Sequence, residues 1–297
     1  MLSKSLRADL ILLLVAAVWG FSLVAQHIGL DYLGPLGFNA ARFALGTAVL
    51  LPLLFFVSRS AWQGSRQLLI KGCLAGLVLF MGSSFQQAGL QYTTAGNAGF
   101  ITSMYIVFVP VFALAVAQKT GINTWIGGAL ALVGLYLLSV SEALTINRGD
   151  LLILIGAAFW ALHVLLIDKF AMQFNNLLLS LVQFAFCAVL GFVLALIWEG
   201  ERTTVTNMLD AWQPLLFAGV LTVGIGHSLQ VVGQRDAVAS HAAIIMSLEA
   251  LFAALGGWLW LDEQLSTRQF AGCALMLAGV LLSQFPIFGK RAPAALS

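Results

Sequence analysis

Long apolar runs separated by short polar clusters set the pattern of this chain. A helix needs about 20 apolar residues to cross the hydrocarbon core of a bilayer. Runs of that kind recur near 8–28, 36–57, 68–90, 94–117, 123–141, 150–170, 177–198, 211–234, 239–260 and 267–287. Their edges fall on charges, Gly/Pro pairs and polar clusters, and the connections are too short to hold a soluble domain. The pattern predicts an all-α membrane protein with ten transmembrane helices. The first run, MLSKSLRADLILLLVAAVWGFSLVAQHIGL, is too long for the apolar core of a signal peptide and lacks a small-residue cleavage site. It is read as the first membrane helix.

The chain also repeats. AAVWGFSLVAQHIGL from Ala16 aligns with AAFWALHVLLIDKFA from Ala157, which pairs Trp19 with Trp160 and, farther on, Phe43 with Phe184. MGSSFQQAGL from Met81 aligns with IGHSLQVVGQ from Ile225, and TAGNAGFITSMYIVF lies over AVASHAAIIMSLEALF. Gly128 and Ser139 fall over Gly272 and Ser283. Two five-helix halves are expected, 1–145 and 146–297. Because five is odd, the second half must enter the membrane inverted, and inverted repeats place a transporter's site near midplane at their interface.

Composition narrows the choice further. The chain is 61% hydrophobic and 9% charged, with mean hydropathy +0.98. Soluble domains carry roughly 25% charged residues, so lipid is the natural solvent here. A net charge of +2 without a basic block excludes a nucleic-acid partner. Cys73, Cys187 and Cys273 lie in apolar runs without metal-ligand spacing, so neither a metal nor a cofactor is expected. If the N-terminus is cytoplasmic, Lys4, Arg7, Arg59, Arg66, Lys71, Lys119, Lys169, Arg235, Lys290 and Arg291 fall inside, and Arg148, Arg202 and Arg268 outside. Such an excess of inner Lys and Arg orients membrane proteins and places both termini in the cytoplasm.

Trp19-Gly20, Ala41-Arg42-Phe43-Ala44 and SLEALFAALGGWLWLDEQLS from Ser247 resemble the drug/metabolite transporter superfamily, most closely its ten-helix EamA-type exporters. In the ninth helix of that family a proline follows the glutamate and a Gly-Glu pair precedes the final turn. Here Ala250 and Asp262-Glu263 stand instead, which removes the reason for a proline kink. The resemblance implies a bacterial cytoplasmic membrane protein whose first, third, fourth, sixth, eighth and ninth helices enclose a central cavity.

Polar residues inside membrane helices face protein or water, and those lining one site recur at helical spacing. Trp19, Ser22 and Gln26 share a face of the first helix, and Trp160 and His163 the matching face of the sixth. Ser83, Gln86, Gln87 and Gln91 mark the third helix, and His227, Gln230 and Gln234 the eighth. Asn97 and Tyr105 in the fourth align with His241 and Glu249 in the ninth. The candidate substrate-binding set is therefore Trp19, Ser22, Gln26, Ser83, Gln86, Asn97, Tyr105, Trp160, His163, His227, Gln230 and Glu249. Each also has a plain structural reading, since a glutamine can simply bond a neighbouring helix. Arg42, placed near the outer end of its helix, either snorkels outward or acts as a gate. His27 and His241 fall near the membrane faces, and Gly72 and Gly76 form a packing notch.

Glu249 sits in an apolar run where a charge is costly without a partner, a watery cavity or a proton. It is either a cavity carboxyl, protonated or paired during part of a transport cycle, or a neutral link between helices. Glu249 and His163 are the candidates for coupling transport to protons. The expected function is alternating-access export of small metabolites such as amino acids, aromatic or amphipathic compounds. A facilitated-diffusion uniporter or channel is the alternative. An intramembrane hydrolase is remote, because Ser84 is duplicated by Ser228 and no nucleophile motif is present. The partners implied are a small-molecule substrate, protons and lipid, with the oligomeric state left open.

The charge asymmetry makes a direct prediction. Reporter fusions after Lys119, Glu142, Arg202 and Lys290 read inside, outside, outside and inside. A periplasmic C-terminus overturns the scheme.

Overall fold

The computed structural model of the protein describes residues 4–62, 64–115, 120–139, 147–260 and 266–284. Among these residues every regular element is helical and no strand occurs. In chain order the principal helices are α1 (Lys4–Gly29), α2 (Pro35–Leu50), α3 (Ser65–Leu90), α4 (Ala95–Ala115) and α5 (Ile122–Ser139). They continue as α6 (Arg148–Phe170), α7 (Asn176–Trp198), α8 (Trp212–Gln234), α9 (Ala239–Met246 with Glu249–Trp260) and α10 (Thr267–Gln284). Eight spans are long and apolar enough to cross a membrane, α2 counting with the turn that carries it to Phe56, while α5 and α10 are shorter apolar helices. Lys119, Glu142, Asp262, Glu263, Lys290 and Arg291, used in the sequence reading, lie outside the described residues.

The ends of the helices follow from local chemistry. Asn147 and Asp150 form a reciprocal cap at the start of α6, with the Asn147 side chain accepting from Gly149 N (2.7 Å) and Asp150 N (3.0 Å). Asn175 caps α7 and Thr94 caps α4. Pro35 opens α2, where its missing N–H costs nothing. Past Leu50, Pro52 sits in a 3-10 turn, Leu51–Phe56, so α2 stops short of the expected end near 57.

Two departures from regular helix matter for function. First, α4 is interrupted between Ala95–Ser103 and Tyr105–Ala115, and α9 at Ser247–Leu248. The absence of the family proline led to the expectation of no kink, yet α9 breaks without it. The Ser247 hydroxyl donates back to Ile244 O (2.8 Å), and the Ser103 hydroxyl donates to Ser247 O (3.4 Å) across the two broken helices. Serine bonds of this kind replace backbone bonds and bend helices. Second, residues Phe217–His227 of α8 are wound as a π-helix, a form that in other proteins clusters at functional sites.

Small residues set the packing. Gly134 of α5 lies against Gly272 of α10, and Gly127 against Gly279, with an added Cβ meeting the facing glycine carbonyl at 2.5 Å in each case. The Gly72–Gly76 notch of α3 receives Val182 and Gln183 of α7, as the sequence predicts. The outward faces carry exposed Leu, Ile and Val, among them Leu14, Ile70, Val193 and Ile197. An apolar surface of this extent suits lipid and not water.

Polar ties then join segments far apart in sequence. The Glu199 carboxylate accepts from Leu36 N (3.1 Å to each oxygen) and Gly37 N (2.9 Å), satisfying free N–H groups in the first turn of α2. Arg202 donates to Leu30 O at 2.7 Å. His241, which the sequence reading left without a role, lies 3.1 Å from the Asp9 carboxylate and 3.0 Å from Ser283 Oγ, so it links α1, α9 and α10.

The glycine contact tests the packing. Gly134→Val and Gly272→Val force backbone apart and should each destabilise the detergent-solubilised protein by about 1–3 kcal/mol. Gly96→Ala, with nothing within 4 Å of its Cβ position, should be silent. Thermal unfolding of the purified variants is the measurement, and equal stability of all three refutes the assignment.

Candidate functional site

The break in α9 explains the position of Glu249. It is the first residue of Glu249–Trp260, so it sits at a helix N-terminus inside the bundle. There the helix dipole favours a carboxylate. The side chain is only 4% exposed, and Ser103 Oγ donates to its Oε1 at 3.4 Å. Tyr105 occupies the corresponding place at the start of the second half of α4. Gly20 of α1 lets α9 approach, since a Cβ there would meet Glu249 O at 2.4 Å.

Glu249 and Tyr105 line a small central cavity. Its wall is built by Trp19, Leu23 and Gln26 of α1, Gln86 of α3, and Thr102 and Tyr105 of α4. Trp160 of α6, Thr222 and His227 of α8 and Glu249 complete it, together with Arg42 of α2. Its volume is about 20 Å³, room for about one water molecule. The aromatic side is tightly organised. The His227 ring stacks on Trp160 (centroids 5.6 Å, planes 13° apart) and lies 4.7 Å from Trp19. Trp19 and Trp160 are 5.9 Å apart, and the Phe43 and Phe184 rings close the far side of His227 at 6.2 and 6.0 Å.

The other candidates hold this wall in place. Gln26 Nε2 donates to Ser22 Oγ (3.1 Å), and Gln86 Nε2 donates to Thr102 Oγ1 (2.8 Å). His163 lies one layer out, its Nε2 2.8 Å from Gln183 Oε1 and its ring meeting Trp160 edge-on at 6.1 Å. Gln230 Oε1 is 3.3 Å from His227 Nδ1. Ser83 turns back onto Leu79 O and Phe80 O of its own helix, away from the cavity. Gln87 and Gln234 reach across to backbone carbonyls, Gln26 O at 3.0 Å and Val164 O at 2.9 Å.

Two expectations need correction. Asn97 is exposed in the first turn of α4, where its N–H is capped by Thr94, and it does not reach the cavity. Its alignment with His241 marks the end of a helix and not the site. Arg42 does not snorkel outward. It lies midway along α2, is 2% exposed and lines the cavity. Leu23, Thr102 and Thr222 also line it and were missed in the sequence. Thr102 could have been found one turn before Tyr105. Thr222 could have been found in the same way, two turns before Gln230. His227 bonds no serine, which leaves the hydrolase reading without a dyad.

A wider recess of about 810 Å³ opens between α3, α7 and the start of α2, with Phe80, Phe85, Leu194 and Trp198 in its wall. No candidate site residue lines it, so the central cavity is the better site despite its size.

Comparison with known proteins identifies the architecture. The EamA-like transporter family matches residues 6–140 and again residues 147–285. The chain belongs to the EamA-like transporter family. It is therefore a multi-pass membrane transporter that acts on a small-molecule substrate in a lipid bilayer, and it is not an enzyme. An uncharacterized transporter of Archaeoglobus fulgidus is 32% identical over 280 residues, covering 94% of this chain and 86% of the relative. The uncharacterized transporter YoaV of Bacillus subtilis is 24% identical, covering 93% and 96%. A crystal structure with 18% identity superimposes with a TM-score of 0.76 over 94% of this transporter and 96% of that chain, a likeness of fold alone.

The tryptophans carry a prediction. Losing one ring contact worth about 1.5 kcal/mol lowers affinity about tenfold. Trp19→Ala and Trp160→Ala should reduce saturable flux by at least that much. Trp198→Ala and Trp212→Ala, at side chains 69% and 55% exposed, should leave it unchanged. Equal losses at matched expression make the aromatics generic packing.

Proposed function

We propose that this transporter exports small, partly apolar metabolites, such as amino acids and aromatic or amphipathic compounds, across the bacterial cytoplasmic membrane by alternating access. The observation that carries this reading is a buried carboxyl, Glu249, sharing one central cavity with Trp19, Trp160 and His227. Stacked rings suit flat apolar groups, and an ionisable group deep in a bundle marks a substrate or ion path. Phosphorylated substrates fit poorly, because among the described residues Arg42 is the sole basic side chain other than histidine in the cavity wall. Glu249 is assigned the coupling proton, with His163, whose Nδ1 has no partner, as a second carrier behind Trp160.

The same reading takes the chain as two inverted five-helix repeats, 1–145 and 146–297, with both termini cytoplasmic. The contacts support it. Residues that align between the halves touch each other, as Trp19 touches Trp160 and Phe43 touches Phe184 at 6.1 Å. The last helices of the two halves, α5 and α10, pack on each other through facing glycines. The breaks in α4 and α9 fall at corresponding places.

Proteoliposomes loaded with radiolabelled phenylalanine, tryptophan or leucine test the mechanism. Wild-type flux should saturate, rise several-fold with an imposed pH gradient and fall back when an ionophore collapses it. Glu249→Gln should lose the gradient response and keep exchange at equal pH, because the amide preserves shape and hydrogen bonds but cannot titrate. A gradient response that persists in the Gln variant removes Glu249 from coupling. A wild type indifferent to the gradient leaves facilitated diffusion, and ion conductance without saturation makes the protein a channel.

A further inference from the structure

Arg42 is among the largest fully buried side chains of the protein, yet no carboxylate of a described residue lies within ion-pair distance of it. Its guanidinium carbon is 5.3 Å from the Phe43 ring centroid, and its Nε has no hydrogen-bond partner. An uncompensated cation this deep in a membrane protein costs several kcal/mol. Glu249, the carboxyl in the same cavity wall, faces the hydroxyls of Ser103 and Tyr105 instead.

Arg42 is not the only unmet group in that wall. Trp19 Nε1 and Trp160 Nε1 are also buried without partners, and Gln26 Oε1 is an unmet acceptor. The arginine and the two tryptophans can only donate. A cavity with several idle donors, one of them cationic, and aromatic walls calls for a ligand with an anionic, acceptor-rich end and an apolar body. A carboxylate fits, because two oxygens match the guanidinium fork and leave lone pairs for an indole N–H.

We propose that Arg42 binds the carboxylate of the substrate, and that the transported class is small monocarboxylates on an apolar or aromatic body, α-amino acids included. This rests on the central cavity being the substrate site. It replaces the expected gating role of Arg42 with recognition.

The test compares acids with their carboxamides, which keep shape but lose the charge. The probes are phenylalanine, phenylalaninamide, 3-phenylpropanoate, 3-phenylpropanamide and phenethylamine, measured by thermal stabilisation of the purified transporter and by flux in proteoliposomes. In the wild type each acid should bind about tenfold or more tighter than its amide, the effect of one charge-assisted bidentate bond. Arg42→Gln should bring that ratio to within about twofold by weakening the acid. Arg42→Lys, which keeps the charge and is the safer variant for folding, should retain a reduced preference. Arg268→Gln, at an exposed arginine, should keep the wild-type ratio. Equal handling of acids and amides by the wild type overturns the proposal, as does an unchanged ratio in Arg42→Gln. Saturable transport of phenethylamine with no acid carried overturns it while leaving the exporter reading intact. No saturable flux of any probe, with ion conductance in its place, overturns both.

Discussion

A polar group in the hydrocarbon interior of a membrane has no water to bond, so it must find a partner within the protein or cost several kcal/mol. Much of this structure follows from that constraint. Gln87 and Gln234 are buried because each can reach a carbonyl of a neighbouring helix. Gln86 finds Thr102, and His163 finds Gln183. Glu199 satisfies the free N–H groups at the start of α2 from the other half of the chain. Against that background the unmet donors on Trp19, Arg42 and Trp160 stand out, because they belong to one cavity wall. A cavity of about 20 Å³ must widen to admit a metabolite.

Three of the helices around the cavity are irregular, while α5 and α10, which do not line it, are regular. α5 and α10 pack directly through facing glycines and hold no site residue. α4 and α9 are broken, and α8 is partly π-helical, and these three supply Thr102, Tyr105, Thr222, His227 and Glu249. Irregular backbone at membrane depth is tolerated only where protein or a cavity can satisfy it. The breaks also place helix termini at the site, where a carboxyl such as Glu249 is favoured by the dipole. Rigid packing at one side and interrupted helices at the other give the bundle a fixed part and a part able to rearrange.

Much of this could be read from the residues. Apolar run length marks the spans, because bilayer thickness sets a minimum. Trp19, Gln26, Gln86, Tyr105, Trp160, His227 and Glu249 were selected by depth and helical spacing, and all reach the cavity wall. Asn97 was selected by the same rule and failed, since it falls at a helix end where a polar residue needs no cavity. Ser83 failed because a serine can bond its own helix.

Hydrophobic periodicity and the internal alignment, by themselves, determined a helical membrane protein with matched halves, because the periods of helix and bilayer are imposed on every sequence that folds in lipid. Side-chain environment was decided only by the tertiary structure. Arg42 in sequence could point to either membrane face or inward, and only the packing of α2 against α8 places it beside Thr222 and His227. Glu249 begins a helix where the serines of two broken helices meet. These outcomes depend on contacts between residues more than a hundred positions apart, and local sequence carries no signal for them.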